Sequence, residues 1–225
     1  MEQIRIVKEM GDKMQQNPII LDTDPGIDDA VAMLVLRRLC PERIRLIVAS
    51  YGNVALSHTV NNALTMRSLL NWDVPILRGA AHPASSQAVD ASHIHGADGL
   101  GGLGLSFPAG TALEGDFLQL LFDKIRSLGT VDYLTIGPLT NLALLLKRFP
   151  EVKNHIERVV TMGGGISMGN VTPYAEFNIY CDPQSAGFVL REVPDLSLVP
   201  LDTTTQVAFS LAQIERWLLY TSRCV

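Results

Sequence analysis

The sequence has few cysteines, no long apolar run and no secretion signal. Its three cysteines, Cys40, Cys181 and Cys224, cannot all pair and show no CxxC spacing, which argues against a disulfide framework or a structural zinc site. No apolar run approaches the roughly 18 residues that a membrane-spanning helix needs. The first residues lack the apolar segment of a signal peptide. We therefore expect a protein with reduced thiols, located in the cytoplasm and without a membrane partner.

Positive charge is also scarce and is not clustered. Charged residues make up 18% of the chain, the net charge is −5, and no stripe of lysine and arginine stands out. A nucleic-acid partner is therefore not expected. By contrast, 47% of the 225 residues are hydrophobic, which is enough for one α/β domain with a sizeable core. We place this domain at residues 18–217, after an N-terminal extension of residues 1–17.

Short apolar runs, most of them rich in Ile, Val and Leu, alternate with longer amphipathic stretches. The runs are typical of strands buried on both faces, and the stretches are typical of helices. This alternation predicts an α/β fold with an open, mostly parallel twisted sheet and helices on both faces. The predicted strands are 19–21, 44–49, 74–77, 133–136, 159–162 and 196–201, and the predicted helices are 28–39, 57–70, 114–128, 139–148 and 183–192.

Four carboxylates, Asp22, Asp24, Asp28 and Asp29, follow the first predicted strand. In open α/β sheets the ligand lies beyond the carboxyl ends of the strands. Carboxylates packed in one turn repel each other unless a cation gathers them, and such hard oxygen ligands suit Ca²⁺ or Mg²⁺. The alternative is an ordinary helix start, where the helix dipole favours Asp28 and Asp29. That alternative leaves Asp22 and Asp24 unexplained, so the pattern favours a divalent-metal site.

Polar residues follow other predicted strands as well. Amide and carboxylate groups can hydrogen-bond the hydroxyls of a polyhydroxylated ligand such as a sugar, which both donate and accept. Each residue taken singly could instead belong to an ordinary loop. His95 lies in a long Gly-, Ser- and His-containing segment, 78–110, and is either a substrate contact, a proton donor or a solvated loop residue. The other candidates are Asn53, the main-chain carbonyl of Ile136, Met162, Asn170, Glu176 and Asn178.

The segment 22–30, DTDPGIDDA, resembles the signature of the inosine–uridine-preferring nucleoside hydrolases. Seven further motifs of that family recur in the same order: YGN at 51–53, HGADG at 95–99, IGPLTN at 136–141, MGGG at 162–165, GN at 169–170, AEFN at 175–178 and DP at 182–183. The resemblance extends from about Pro18 to about Ile214 and is strongest to the bacterial ribonucleoside hydrolases that accept both purine and pyrimidine nucleosides. It implies a Rossmann-related fold and hydrolysis of the N-glycosidic bond to ribose and free base.

The resemblance also implies roles for individual residues. Asp24 and Asp29 would hold a Ca²⁺ with the carbonyl of Ile136, and Asp24 would also act as general base toward the attacking water. Asp22 would support this cluster. The substrate-binding residues would be Asp28, Asn53 and Asn178 at the water and the ribose 2′- and 3′-hydroxyls, Asn170 and Glu176 at the 5′-hydroxyl, Met162 under the sugar, His95 at the base or the closing loop, and Phe177.

The end of the sequence departs from the family pattern. Family chains continue well past residue 225 and contain a further metal-binding Asp preceded by a His, for which this sequence has no counterpart. We therefore expect weak or no activity, and a homodimer or homotetramer only for a full-length chain. The segment 218–225, LLYTSRCV, can be encoded by a sequencing-library transposon end joined to its reverse complement. We expect it to be an artefactual tail on a chain cut near Trp217.

Two other functions remain open from the sequence. A haloacid-dehalogenase-like phosphatase also has an Asp-x-Asp after its first strand, here Asp22 and Asp24, with the first Asp as nucleophile. Gly26, however, stands where such enzymes have Thr or Val, and no later Gly-Asp-x-x-x-Asp motif is present. The second alternative is a non-catalytic fragment that binds ribose or a nucleoside. Base preference is not predicted by the sequence.

Overall fold

A six-stranded parallel sheet forms the centre of the computed structural model, which describes residues 17–84, 89–105, 110–208, 210 and 212–213. The strand order is β3-β2-β1-β4-β5-β6, and every pairing in the sheet is parallel. The predicted open parallel sheet is therefore confirmed. The strands are β1 (Ile19–Thr23), β2 (Ile44–Ala49), β3 (Ile76–Arg78), β4 (Val131–Thr135), β5 (Ile156–Met162) and β6 (Leu196–Val199).

Helices connect the strands, and the five helices predicted from the sequence are all present. Among the described residues there are three others, of four or five residues each, which were not predicted because so short a segment shows no helical period. No helix in the described part of the chain is long and apolar enough to cross a membrane. The helices are α1 (Ile27–Leu39), α2 (Leu56–Leu69), α3 (Ser92–His95), α4 (Phe117–Leu128), α5 (Thr140–Arg148), α6 (Phe177–Cys181), α7 (Pro183–Glu192) and α8 (Leu201–Thr204), with a 3₁₀ helix at Pro150–His155.

β1 lies in the middle of the sheet and is buried along its whole length. Because side chains alternate along a strand, Ile20 and Leu21 enter two separate apolar clusters. Ile20 packs with residues of α4, α5 and α7, whereas Leu21 packs with residues of α1 and α2. The sheet is thus covered on both faces, as predicted. The strand order reverses between β1 and β4, and this switch point is where open α/β sheets bind ligands.

Candidate active site

Asn53 joins two buried carboxylates at the end of β1. Asp24 is 1% exposed and Asp29 is 4% exposed. The side-chain amide of Asn53 donates to the main-chain carbonyl of Asp24 and to Oδ2 of Asp29, at 3.0 Å each. The backbone N–H of Asn53 donates to Oδ2 of Asp24 at 2.8 Å. The loop after β2 therefore holds the two acids in one cluster, which brings together three of the residues selected from the sequence.

Asp29 also lies in the first turn of helix α1 and accepts hydrogen bonds there. Its Oδ2 accepts the backbone N–H of Gly26 at 3.1 Å, and its Oδ1 accepts the hydroxyl of Thr23 at 2.5 Å. Such contacts satisfy backbone donors at the first turn of a helix. The helix-start explanation thus accounts for part of the role of Asp29. It does not account for Asp24, which lies before the helix and makes none of these contacts.

The charges of the cluster are unfavourable without a counterion. Burial raises the pKa of Asp24 well above its usual range, and the charge of Asp29 raises it further. Burial also raises the pKa of Asp29 to about 6, with a further contribution from Asp28. Oδ1 of Asp24 is buried and has no hydrogen-bond partner among the described residues. An unpartnered carboxylate oxygen of this kind is a suitable ligand for a hard cation.

The main-chain carbonyl of Ile136 lies directly after the end of β4. A Cβ placed on the next residue, Gly137, would be 2.5 Å from Oδ1 of Asp24, so the two segments are close. No three His, Cys, Asp or Glu side chains of the described residues are grouped to hold a metal. A cation here would therefore need oxygens besides carboxylates, and Ile136 can supply one. The residues present fit a cation bound by Asp24, Asp29 and Ile136.

Asp22 points away from this cluster into the core. Its Oδ2 accepts the hydroxyl of Tyr133 at 2.7 Å, and its Oδ1 accepts the side-chain amide of Asn141 at 2.9 Å. Burial raises the pKa of Asp22 to about 7. With no exposed surface and both oxygens hydrogen-bonded, Asp22 is not placed to attack a substrate as the phosphatase alternative requires. Its position agrees with a supporting role.

Replacing Tyr133 with Phe tests this support. The variant leaves Oδ2 of buried Asp22 without its hydroxyl donor, which should cost about 1–3 kcal/mol of unfolding free energy. Thermal unfolding of the Tyr133→Phe variant should occur several degrees below that of the unchanged protein. The control is Tyr174→Phe, because Tyr174 is 90% exposed. Equal unfolding temperatures for the two variants would show that the Tyr133 hydroxyl contributes nothing.

Asn178 connects the ends of β4 and β5. Its side-chain amide donates to the carbonyl of Ile136 at 2.9 Å and to the carbonyl of Met162 at 3.2 Å. Nearby, Glu176 is 3% exposed and caps helix α6, and its Oε2 also accepts the N–H of Gly164 at 2.9 Å. Burial raises the pKa of Glu176. Asn178 thus joins Ile136 to Met162, and Glu176 holds the glycine segment that follows Met162.

The remaining predicted site residues lie farther out. Nδ1 of His95 accepts the N–H of Ile27 at 3.2 Å and lies 3.8 Å from Oδ1 of Asp28, whose side chain is 82% exposed. Phe177 is partly buried and packs against the cluster that contains Tyr51 and Cys181. Asn170 is exposed in the loop after β5, and its backbone N–H donates to the carbonyl of Ala175, the residue before Glu176, at 3.0 Å. A shared role of Asn170 and Glu176 at the 5′-hydroxyl stays a prediction.

Several residues around Asp24 were not selected from the sequence. A Cβ on Gly52 would overlap Oδ2 of Asp24, and one on Gly137 would be 2.5 Å from Oδ1. Both glycines stand next to residues that the motifs did select, and the need for close approach could have identified them. Tyr133 and Asn141, which hold Asp22, were missed because tyrosine in an apolar strand and asparagine in a helix's first turn resemble ordinary residues.

The fold and the site define an α/β protein with a pair of buried carboxylates at the switch point of a parallel sheet. The family model for inosine-uridine preferring nucleoside hydrolases matches residues 19–224. The chain belongs to this family, and the resemblance seen in the sequence is confirmed. Whether residues 218–225 are an artefactual tail stays a prediction, since that segment lies outside the described residues.

Known proteins of this family are similar to the chain in sequence and in structure. A pyrimidine-specific ribonucleoside hydrolase from Salmonella enteritidis is 40% identical over 203 residues, which are 89% of this chain and 65% of the relative. A purine-preferring ribonucleoside hydrolase from Gardnerella vaginalis superposes with a TM-score of 0.83 at 29% identity, covering 89% of this chain and 66% of that one. A plant nucleoside hydrolase gives 0.78 at 30% identity, covering 87% and 63%. The chain thus spans about 65% of the length of the curated relatives.

Proposed function

We propose that this chain provides the calcium and ribose sites of a nucleoside N-ribohydrolase, which hydrolyses ribonucleosides to ribose and free base. The observation that supports this most directly is the buried pair Asp24 and Asp29, in which Oδ1 of Asp24 has no partner among the described residues. Family membership supports the same reaction. The relatives include a pyrimidine-specific and a purine-preferring enzyme, so the proposal covers ribonucleosides of both kinds.

The chain's own residues would divide the work as follows. Asp24, Asp29 and the carbonyl of Ile136 would hold the ion. When bound, Ca²⁺ would orient a water molecule and lower its pKa. Asp24 would accept the proton that this water loses on attack.

The ribose would bind beside this pair. Asn53 and Asn178 direct their amide groups at main-chain and carboxylate oxygens, so their side-chain oxygens can accept ribose hydroxyls. Asp28, which is exposed, would accept another. Cleavage of a ribosyl bond passes through an oxocarbenium-like state in which the sugar ring flattens. Contacts that tighten as the ring flattens lower the barrier more than they stabilise the bound substrate.

Ribose release from uridine and inosine tests the proposal. The purified 225-residue protein is incubated with each nucleoside in calcium or in a calcium chelator, and reducing sugar is measured. We expect slow release that requires calcium. A sugar phosphate serves as control substrate, and release of phosphate from it without ribose from a nucleoside would contradict the proposal. Calcium-dependent binding of nucleoside without any release would favour the non-catalytic alternative.

Three further properties belong to the proposal. Slow turnover, a homodimeric or homotetrameric full-length protein and a cytoplasmic location stay predictions. Carboxylate and carbonyl oxygens suit a hard cation, and calcium rather than magnesium is proposed because the family resemblance implies it.

A further inference from the structure

A chain of buried hydroxyls leads from the loop after β2 to the start of α7. The hydroxyl of Tyr51 lies 2.9 Å from Oγ1 of Thr140, which donates to Oδ2 of Asp182 at 2.8 Å. All three residues are at most 2% exposed. Because Thr140 gives its one hydroxyl proton to the carboxylate, its oxygen can only accept from Tyr51. The chain therefore has one direction, from Tyr51 to Asp182.

Asp182 is the fixed end of this chain. Its Oδ2 also accepts the N–H of Ala84, and its Oδ1 accepts the N–H of Ser185, both at 3.0 Å. Burial alone would raise the pKa of Asp182, but these bonds and that from Thr140 hold it below its usual range. One carboxylate thus joins the loop after β3, the first residue of α5 and the first turn of α7. A charged acceptor with three donors makes strong, short-range contacts.

Tyr51 is the end that reaches the active site. Two residues along the chain, the backbone N–H of Asn53 donates to Oδ2 of Asp24. The backbone N–H of Tyr51 is itself held by the carbonyl of Ala80 at 3.1 Å. Gly52 lies between, in a conformation that leaves no room for a side chain beside Asp24. The Tyr51 side chain and the Asn53 donors thus lie on one short segment, with Thr140 bonded at one end and Asp24 at the other.

We propose that Asp182 is a positioning residue of the active site, which acts through Thr140 and Tyr51 to hold Asn53 against the cation-binding carboxylate of Asp24. The inference rests on the proposed function, because it treats Asp24 as a cation ligand. Residues that orient metal ligands in this way affect metal affinity even though they do not touch the ion.

Variants that remove one hydroxyl each test the inference. Terbium(III), whose luminescence reports binding at calcium sites, is titrated into the unchanged protein and into Tyr51→Phe and Thr140→Val. We expect each variant to bind terbium about 10-fold more weakly, because partners of metal ligands have effects of that size. The double variant should have the same terbium affinity as the single variant that binds terbium more weakly, since both changes break the same series of hydrogen bonds.

Two controls separate positioning from stability. Thr140→Ser keeps the hydroxyl and should bind terbium as the unchanged protein does. Thr59→Val removes a buried hydroxyl that donates to the carbonyl of Leu56 within α2. This hydroxyl is not part of the hydrogen-bonded series from Tyr51 to Asp182. It should lower the unfolding temperature and leave terbium affinity unchanged.

The outcomes distinguish the inference from the proposed function. Suppose that the unchanged protein binds terbium and that Tyr51→Phe binds it as tightly as Thr59→Val does. This result would overturn the inference and leave the proposed function standing. Weakened binding in Thr140→Ser equal to that in Thr140→Val would do the same, because the hydroxyl would then be irrelevant. Unchanged protein that binds neither terbium nor calcium would overturn the proposed cation site and the inference with it.

Discussion

Replacing Asp24 with Asn should abolish calcium binding and ribose release, and it should make the calcium-free protein more stable. The buried carboxylate has one oxygen without a partner among the described residues and faces the like charge of Asp29. Removing this buried charge and its repulsion from Asp29 should raise the free energy of unfolding of the calcium-free protein. Without its carboxylate the site loses a ligand that a hard cation requires. Thermal unfolding with and without calcium measures both effects.

The unchanged protein and Asp24→Asn should differ in how calcium affects their unfolding temperatures. Calcium should raise the unfolding temperature of the unchanged protein, because a ligand that binds only the folded state stabilises it. It should leave the unfolding temperature of Asp24→Asn unchanged. Asp73→Asn is the control, since Asp73 is exposed and its loss should change stability by less than about 0.5 kcal/mol. A calcium-dependent rise in Asp24→Asn would show that the cation binds elsewhere.

Replacing Gly52 with Ala should be among the most damaging single substitutions in the chain. The added Cβ would overlap Oδ2 of Asp24, and the φ of +155° at Gly52 is one that side chains rarely adopt. Overpacking and backbone strain together should cost about 3–5 kcal/mol of unfolding free energy. Because Asp24 would be displaced, the Gly52→Ala variant should also fail to bind terbium. Chemical unfolding and terbium titration measure the two effects.

Gly129→Ala provides the matched control for backbone strain. Gly129 has a φ of +84°, but a Cβ there would have nothing within 4 Å. Its replacement should therefore cost only the strain, about 1–2 kcal/mol, and should leave terbium binding intact. If Gly52→Ala and Gly129→Ala proved equally stable and both bound terbium, the close approach of Gly52 to Asp24 would have no consequence.

The sequence was sufficient to predict the parallel sheet, because each strand is a short apolar run between helical stretches. Strand 196–201 was predicted too long, since Pro200 ends β6 and Leu201–Thr204 forms a helix. The position of the Asp cluster at a strand end was also predictable, because all strands of a parallel sheet present their carboxyl ends at one edge. Motif order then identified the family, which hydrophobic patterning alone could not do.

The contacts that hold the site could not be predicted, because they depend on tertiary structure. Asn53 was assigned to ribose and water, but its amide also bridges Asp24 and Asp29, and this follows from the register that pairs Thr23 with Ala49. Tyr51 and Thr140 meet across 89 residues of sequence. Periodicity within a window of one helix or strand contains no information on such pairs.

The pairing of β1 with β4 determines when the site can exist during folding. Asp22 and the Asn141 amide that holds it are 119 residues apart in sequence, and the carbonyl of Ile136 comes from the same distant segment. A refolding chain must close this long loop before the two halves of the site meet, which is an entropically costly and therefore slow event. Neither half alone supplies all the oxygens of the proposed cation site. Calcium should consequently slow unfolding and leave the folding rate nearly unchanged, since it stabilises contacts that form only after the rate-limiting step.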